Sequence, residues 1–192
     1  MFSVICCKEL QASNQTMGLA TGTMTFDASP SNVNTTSGKT NSTNFHLEWE
    51  RFLDPNTSIL LTYRLAIDSG TELIKYQSTN LIHRVYPLDA GTNFYSQDQK
   101  NIVTYKFSIS PYLEYGGSLG RFLHDSIKLT GHLEKTVNFL GFNMGGGIYI
   151  HIARGFIIDF HLGTELGIGI KGTVDGFQSV NNYGLFALKL TL

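Results

Sequence analysis

The sequence predicts an all-β fold, an eight-stranded antiparallel up-and-down transmembrane β-barrel. Large apolar residues alternate with polar or small residues along most of the chain. Charged residues make up only 15% of the sequence, which contains 20 glycines and 4 prolines. Soluble domains have about 25% charged residues. Composition and alternation therefore both favour a barrel that faces lipid.

The alternation is clearest in residues 57–68, which read TSILLTYRLAID. Ile59, Leu61 and Tyr63 fall on one face, and Thr62 and Arg64 fall on the other. A period of two residues is that of a β-strand. The same pattern predicts strands over residues 44–52, 103–115, 139–151, 155–170 and 182–192.

Two further segments have strand composition without a steady period: residues 15–27 and residues 73–86. A β-bulge is one explanation for the irregular pattern of the second segment. Together with the six regular segments they make eight strands. An even number of strands lets an up-and-down barrel close with both termini at one end.

The connections between these strands differ in length. Long polar connections are predicted over residues 28–43, 116–136 and 171–181, whereas residues 54–57 and 153–155 are tight turns. Short turns at one end and longer loops at the other are typical of outer-membrane barrels. The exception is residues 87–101, a long connection on the side of the short turns, which predicts a small helix or an additional hairpin.

The volumes of the two faces indicate which of them points inward. The apolar face is bulky, whereas the opposite face is rich in small residues such as Gly141, Gly145 and Gly163. The interior of an eight-stranded barrel is just wide enough to be filled by side chains. We therefore expect the small and polar face inside and the apolar face in lipid. A soluble lipocalin-like barrel would have the opposite arrangement.

A membrane-spanning helix is excluded by hydropathy, because the sequence has no apolar run of 18 residues. If the chain lies in a membrane, a closed barrel is the structure that satisfies its backbone hydrogen bonds in lipid. Residues 15–192 are expected to form this barrel. Residues 1–14 are expected to be the remnant of a signal peptide or a disordered N-terminus.

Composition also limits the classes of partner and site. The net charge of −1 gives no basic surplus for nucleic acid. The cysteines, Cys6 and Cys7, are adjacent, so neither a disulfide nor a cysteine-based zinc site is expected.

Charged residues recur on the proposed inward face. They are Glu48, Glu50, Arg64, Lys106, Glu114, Asp159, His161, Glu165 and Lys189. We expect them to form a salt-bridged plug in the lumen, because eight strands leave no room for an open channel. The alternative is a lumen that conducts or gates ions. Asp159, His161 and Glu165 share one face, but a cluster with one histidine is a weak metal signal. No metal and no cofactor are therefore expected.

Aromatic residues lie near the ends of the predicted strands. They are Trp49, Phe52, Tyr63, Tyr105, Tyr115, Phe156 and Tyr183. We interpret them as girdles at the two membrane interfaces. The alternative is that they are ordinary aromatic residues of a β core.

The last eleven residues, NYGLFALKLTL, place Phe186, Leu188, Leu190 and Leu192 two apart. This end and the late hairpin GFNMGGGIYIHIARGFIIDFHLGTELGIG resemble those of small eight-stranded outer-membrane β-barrels of Gram-negative bacteria, the OmpA/OmpW-like superfamily. The final strand of that superfamily usually ends on phenylalanine, whereas this chain ends on leucine. The resemblance implies export across the inner membrane and location in the outer membrane. It also implies contact with outer-membrane lipid and lipopolysaccharide, and reading of the final strand by the barrel-insertion machinery.

The function expected from this architecture is non-enzymatic. It is a structural or surface-interaction role in which the outer loops meet an unidentified ligand. Three alternatives stay open: a narrow pore for small solutes or ions, a soluble lipocalin-like carrier of an apolar ligand, and an outer-membrane lipid-modifying enzyme. Enzymes of the last class need histidine and serine on the lipid side, whereas His46, His151 and His161 fall on the predicted inward face.

Overall fold

The computed structural model describes residues 14–30, 38–68, 74–90, 92–97, 100–105, 108–122, 136–153, 155–170 and 177–192. Residues 1–13, and with them almost all of the expected signal remnant, lie outside the described residues. The regular elements are strands: β1 Gln15–Pro30, β2 Gly38–Asp54, β3 Thr57–Asp68, β4 Ile74–Val85, β5 Thr92–Gln97, β6 Lys100–Tyr105, β7 Ser108–Phe122, β8 Val137–Ala153, β9 Phe156–Gly169 and β10 Phe177–Thr191. The described part of the chain contains no helix with the length and apolar character needed to span a membrane.

Eight strands form one closed barrel in the order β1, β10, β9, β8, β7, β4, β3, β2. Each neighbouring pair is antiparallel, and β1 closes the barrel by pairing with both β2 and β10. The predicted fold class is confirmed. The N-terminal end of β1 and the C-terminal end of β10 meet where Thr16 lies opposite Thr191. We call this end of the barrel the terminal end and the opposite end the loop end.

The predicted strand over residues 103–115 is wrong. Lys100–Tyr105 pairs instead with Thr92–Gln97 in a separate two-stranded sheet, and the barrel strand is Ser108–Phe122. The glycine-rich residues directly after Tyr115, which the sequence predicts as the start of a loop, belong to β7. Glycine suits this strand because a Cβ atom at Gly116 would lie 2.1 Å from the carbonyl oxygen of Leu81 on β4. The hairpin predicted as one of two options for residues 87–101 is present, although it extends to Tyr105.

The other strand boundaries differ mainly in length. β3 has the predicted bounds, whereas β1, β2 and β10 extend further toward the loop end than predicted. This lengthening shortens the connections predicted over residues 28–43 and 171–181. The register of β4 against β3 shifts next to Ala66, as expected for a bulge. The turn between β8 and β9 contains Gly155 at a φ of 85°, a conformation that favours glycine.

The two faces of the barrel are sorted as expected, with apolar side chains outside and polar side chains inside. Leu162 is 71% exposed, Leu19 69% and Ile168 68% on the outer face. Glu48 and Arg64 are fully buried inside. A charged side chain on the outer face would lie unpaired in lipid. A bulky apolar side chain on the inner face would crowd the narrow lumen.

Aromatic clusters fill both ends of the lumen. The loop-end cluster includes Phe26, Tyr76, Phe122, Phe139 and Phe177. The terminal-end cluster contains Phe52, Tyr86, Ala90, Tyr112, Tyr149 and Ile157. The segment after β4 covers the terminal end, because the Ala90 amide donates to the Pro55 carbonyl at 2.7 Å and Ala90 is fully buried. The charged side chains lie in the lumen between these two clusters.

Candidate functional site

The lumen contains every charged residue singled out from the sequence that the structure describes. Glu48, Glu50, Arg64, Glu114, Asp159, His161, Glu165 and Lys189 are all buried inside the barrel. Lys106 lies outside the described residues. Their placement follows from the two-residue period, because every one of these side chains sits on the inward face of its strand.

Lys189 is the cationic centre of a group that we call the terminal-side network. Its Nζ lies 2.9 Å from Glu48 Oε2, 2.9 Å from Glu50 Oε2 and 2.9 Å from Asp159 Oδ2. The Tyr86 hydroxyl donates to Glu50 Oε1 at 2.7 Å, and the Tyr112 hydroxyl donates to Asp159 Oδ1 at 2.6 Å. Buried charges are tolerated when they are paired and hydrogen-bonded in this way.

Arg84 is the second cation of the terminal-side network, and it is not among the residues predicted for the lumen. Its Nη1 lies 2.7 Å from Asp159 Oδ2 and 3.3 Å from Glu50 Oε2, while its Nε lies 3.0 Å from Glu114 Oε2. Its guanidinium carbon lies 4.2 Å from the centre of the Tyr112 ring, a cation–π distance. The sequence gives only a weak indication that Arg84 points inward, because the outer face of β4 is also largely polar. The two faces of this strand therefore differ little in polarity.

Arg64 and Glu165 belong to a second group nearer the loop end, the loop-side network. Arg64 Nη1 donates to Asn143 Oδ1 at 3.0 Å and lies 3.7 Å from Glu165 Oε2. The Tyr76 hydroxyl lies 2.8 Å from both Glu165 oxygens, and Asn181 Nδ2 donates to Glu165 Oε1 at 3.0 Å. This network connects strands on opposite sides of the lumen.

His46, Glu48 and His161 meet between the two networks, and we call this group the histidine site. His161 Nε2 lies 3.4 Å from Glu48 Oε1, and His46 Nδ1 lies 3.8 Å from the same oxygen. The two imidazole rings are 6.2 Å apart and nearly perpendicular. One ring nitrogen of each histidine and one Glu48 oxygen all lie within 4.8 Å of one another, which is close enough to consider a shared metal ion.

Among the described residues of the lumen, carboxylates outnumber arginine and lysine. The described inward-facing groups include five carboxylates, Glu48, Glu50, Glu114, Asp159 and Glu165, and three permanent cations, Arg64, Arg84 and Lys189. With neutral imidazoles this excess is two negative charges, and a protonated His161, 3.4 Å from both Glu48 and Glu114, would reduce it to one. A buried charge that is not compensated is strongly unfavourable.

The possible cluster of Asp159, His161 and Glu165 does not form a shared site. Asp159 contacts Arg84, Lys189 and Tyr112 in the terminal-side network. Glu165 is bound by Tyr76 and Asn181 on the loop side. The shared strand face predicted only that these side chains point inward, not that they converge.

The aromatic residues assigned to the membrane interfaces divide into three groups. Tyr63, Tyr115 and Phe156 are exposed on the outer face, and Trp49 is half-buried there. Tyr105 belongs to the two-stranded sheet, and its side chain lies outside the described residues. Phe52 and Tyr183 are buried in the lumen, so their assignment to an interface is wrong. The physical reason is the strand period, because both share the inward face of their strands with charged residues.

Comparisons with known proteins identify the fold. No protein-family model and no curated protein sequence matches the chain. Neisserial surface protein A (NspA) superimposes with a TM-score of 0.56 at 11% identity, covering 94% of this chain and 99% of that chain. The N-terminal β-barrel domain of Pseudomonas aeruginosa OprF superimposes with a TM-score of 0.53 at 13% identity, covering 92% and 99%. The chain has the fold of the small eight-stranded outer-membrane β-barrels.

Proposed function

We propose that this chain is an integral outer-membrane barrel of a bacterium, without catalytic activity, that has a structural or surface-interaction role. The observation that carries the proposal is the inverted sorting of the barrel. Leu162 and Ile168 are exposed on its outer face, while Glu48 and Lys189 are fully buried inside. Exposed apolar patches of this extent mark a surface that contacts another apolar phase.

The apolar surface has the height of a bilayer. Along β7 the outward-facing side chains from Ile109 to Leu119 include no charged residue, and Arg121 follows on the same face. At about 3.4 Å per residue and a tilt of about 40°, this stretch spans about 26 Å, close to the apolar band of about 25 Å in outer-membrane barrels. The surface therefore suits lipid better than water.

The contents of the lumen argue against the alternative functions. The described interior contains ion pairs between two aromatic clusters, rather than the apolar cavity that a lipocalin-like carrier needs. The same filling opposes a pore for solutes. Among the described histidines only His83 is on the outer face, where its ring packs 5.2 Å from that of Tyr115. This environment gives no support to a lipid-modifying enzyme.

The connections at the loop end are the proposed interaction surface. They include residues 31–37, 69–73, 123–135 and 171–176, of which 123–135 is the longest. The similarity of fold to a protein named as a surface protein supports this assignment. In the proposed orientation the loop end faces outward and both termini face the periplasm. Lipid and lipopolysaccharide surround the barrel, and the insertion machinery reads the final strand, β10.

The membrane part of the proposal is tested by electrophoresis of the refolded chain. Refolding into detergent micelles should give a band whose mobility in SDS changes on boiling, because closed barrels resist SDS until heated. The full chain incubated without detergent is the control and should precipitate. A monomer that stays in solution without detergent and shows no shift would contradict the proposal.

The interaction part needs whole cells. An epitope inserted after Gly131 should be accessible to antibody on intact cells, whereas one inserted at the turn between β2 and β3 should be accessible only after permeabilisation. A chain with residues 123–135 replaced by a short Gly-Ser linker should keep its boiling-dependent mobility. If the loops carry the function, this variant loses binding to host or envelope surfaces that the unmodified chain shows.

A further inference from the structure

We propose that His46, Glu48 and His161 bind one divalent transition-metal ion, such as Zn²⁺, inside the barrel. Two imidazoles and one carboxylate are a ligand set that zinc accepts. This site lies in the lumen, so the proposal goes beyond the proposed function of the loops and does not depend on it.

The geometry brings three donors from opposite sides of the lumen to one point. His46 and Glu48 are two residues apart on β2, and His161 projects from β9, with β1 and β10 between those strands. Their ligand atoms all lie within 4.8 Å of one another. Ligands at about 2.1 Å from a tetrahedral zinc ion are about 3.4 Å apart, so side-chain rotations that move the donors by about 1 Å complete the site.

The histidine site also contains donor atoms that other described residues leave without a partner. Both ring nitrogens of His46, His161 Nε2 and Glu48 Oε1 are buried, and the described contacts of these atoms are only with one another, at 3.4 Å and 3.8 Å. An unpaired buried polar atom loses its hydration without compensation, at about 1–3 kcal/mol each. A cation between these atoms would compensate for the hydration that they lose on burial.

The surroundings of His161 fit a metal ligand. Its Nδ1 lies 3.4 Å from Glu114 Oε1, and Glu114 is in turn fixed by Arg84 through its other oxygen at 3.0 Å. Histidines that bind metals usually give their second nitrogen to a carboxylate, which orients the ring and increases its basicity. Here that contact leaves Nε2 directed at Glu48.

The charges of the lumen favour a divalent cation at this point. The described carboxylates exceed the permanent cations by two, as counted above from the buried residues. Lys189 contacts Glu48 Oε2 and leaves Oε1 toward the histidines. With both imidazoles neutral, one divalent ion would offset this excess among the described groups and connect β2 to β9. Since the unfolded chain lacks the assembled site, bound metal should stabilise the folded barrel.

The test measures metal in the refolded full chain. The chain carries Cys6→Ser and Cys7→Ser, because thiolates also bind zinc. After refolding with Co²⁺ or Zn²⁺ and desalting, we expect about one metal ion per chain by mass spectrometry. Bound Co²⁺ should show the visible absorption of a low-coordinate site. His46→Gln and His161→Gln should lose both signals.

Matched controls distinguish the two histidines of the lumen site from the other histidines of the chain. His83→Gln removes an outward-facing histidine, and the double change His124→Gln with His132→Gln removes two histidines of the long connection. Both variants should retain the metal. If a lumen variant fails to fold, the wild-type barrel still gives an answer. Wild-type chain refolded with Zn²⁺ should unfold in SDS at a higher temperature than wild-type chain refolded with a chelator.

Three results would overturn the metal site. The folded wild-type chain could retain no metal after desalting. His46→Gln and His161→Gln could both retain it as well as the wild type does. The metal could also be lost in a control variant rather than in a lumen variant. In each case the proposed loop function stands, because its tests read mobility and surface exposure.

Discussion

Arg84 Nη1 lies 2.7 Å from Asp159 Oδ2, and this contact joins β4 to β9 across the lumen. The two strands are not neighbours, since β7 and β8 lie between them in the barrel. The same guanidinium contacts Glu114 on β7 and Glu50 on β2. Arg84 therefore joins four strands through side-chain contacts, whereas backbone hydrogen bonds join only neighbouring strands.

Arg84→Met should destabilise the barrel strongly. The change keeps most of the side-chain volume but leaves buried carboxylates with less compensation. Removing one partner of a buried ion pair is unfavourable by about 3–5 kcal/mol. The free energy of unfolding can be measured by urea titration in lipid vesicles, with the fluorescence of Trp49, the single tryptophan of the chain, as the signal.

Arg51→Met is the matched control, because Arg51 is exposed on the outer face of β2 near the terminal end. This variant should change the free energy of unfolding by less than about 0.5 kcal/mol. Equal effects of the two substitutions would show that the Arg84 contacts add no stability beyond that of an exposed arginine.

Sequence patterns identified the elements in which the two faces differ strongly. β3 was predicted with its observed bounds because Leu61 and Tyr63 contrast with Thr62 and Arg64 along the whole strand. The error over residues 103–115 arose because the same alternation continues from β6 into β7. A hairpin strand and a barrel strand show the same two-residue alternation, so only their pairing partners distinguish them.

The lumen was predicted less completely than the strands. Arg84 was missed because Gln77, Thr79 and His83 make the outer face of β4 polar as well. Phe52 and Tyr183 are predicted as interface residues because they are aromatic and near strand ends, although the two-residue count itself places both inward. The histidine site needed the register across four strands, from β2 to β9, which no local pattern contains.

Leu162→Arg should destabilise the barrel if its outer face contacts lipid. Leu162 is 71% exposed near the middle of β9. Arginine near the bilayer midplane is unfavourable by about 2–4 kcal/mol, whereas an exposed surface position in water changes stability by less than about 0.5 kcal/mol. Urea titration in vesicles gives the difference directly.

Ile170→Arg is the control for depth, because it follows β9 at the loop end. There the same change should be unfavourable by only about 0–1 kcal/mol, as expected near the interface. A negligible effect at both positions would mean that the outer face does not lie in lipid.

Gly163→Ala should disturb the packing of Tyr183 in the lumen. A Cβ atom at Gly163 would lie 2.4 Å from the Tyr183 hydroxyl oxygen, and the Tyr183 ring packs 4.1 Å from the Arg64 guanidinium carbon. Overpacking of this kind is unfavourable by about 1–3 kcal/mol. Gly117→Ala is the matched control, because its nearest neighbour would be 3.9 Å away. The urea midpoint should fall for Gly163→Ala and not for Gly117→Ala. Midpoints that fall equally would point to a general effect of glycine replacement.

Planar bilayers containing the purified chain should show no single-channel currents. Phe139 and Phe122 pack 5.3 Å apart in the loop-end cluster, and Tyr86 and Tyr149 pack 5.7 Å apart in the terminal-end cluster. Ion pairs fill the space between the clusters, so a hydrated ion has no continuous path through the described interior. Chain boiled in the same detergent is the control for leakage. Uniform current steps given only by the folded chain would contradict a closed lumen and favour a narrow pore. Their loss in Phe139→Trp, which enlarges a lumen side chain, would locate that path inside the barrel.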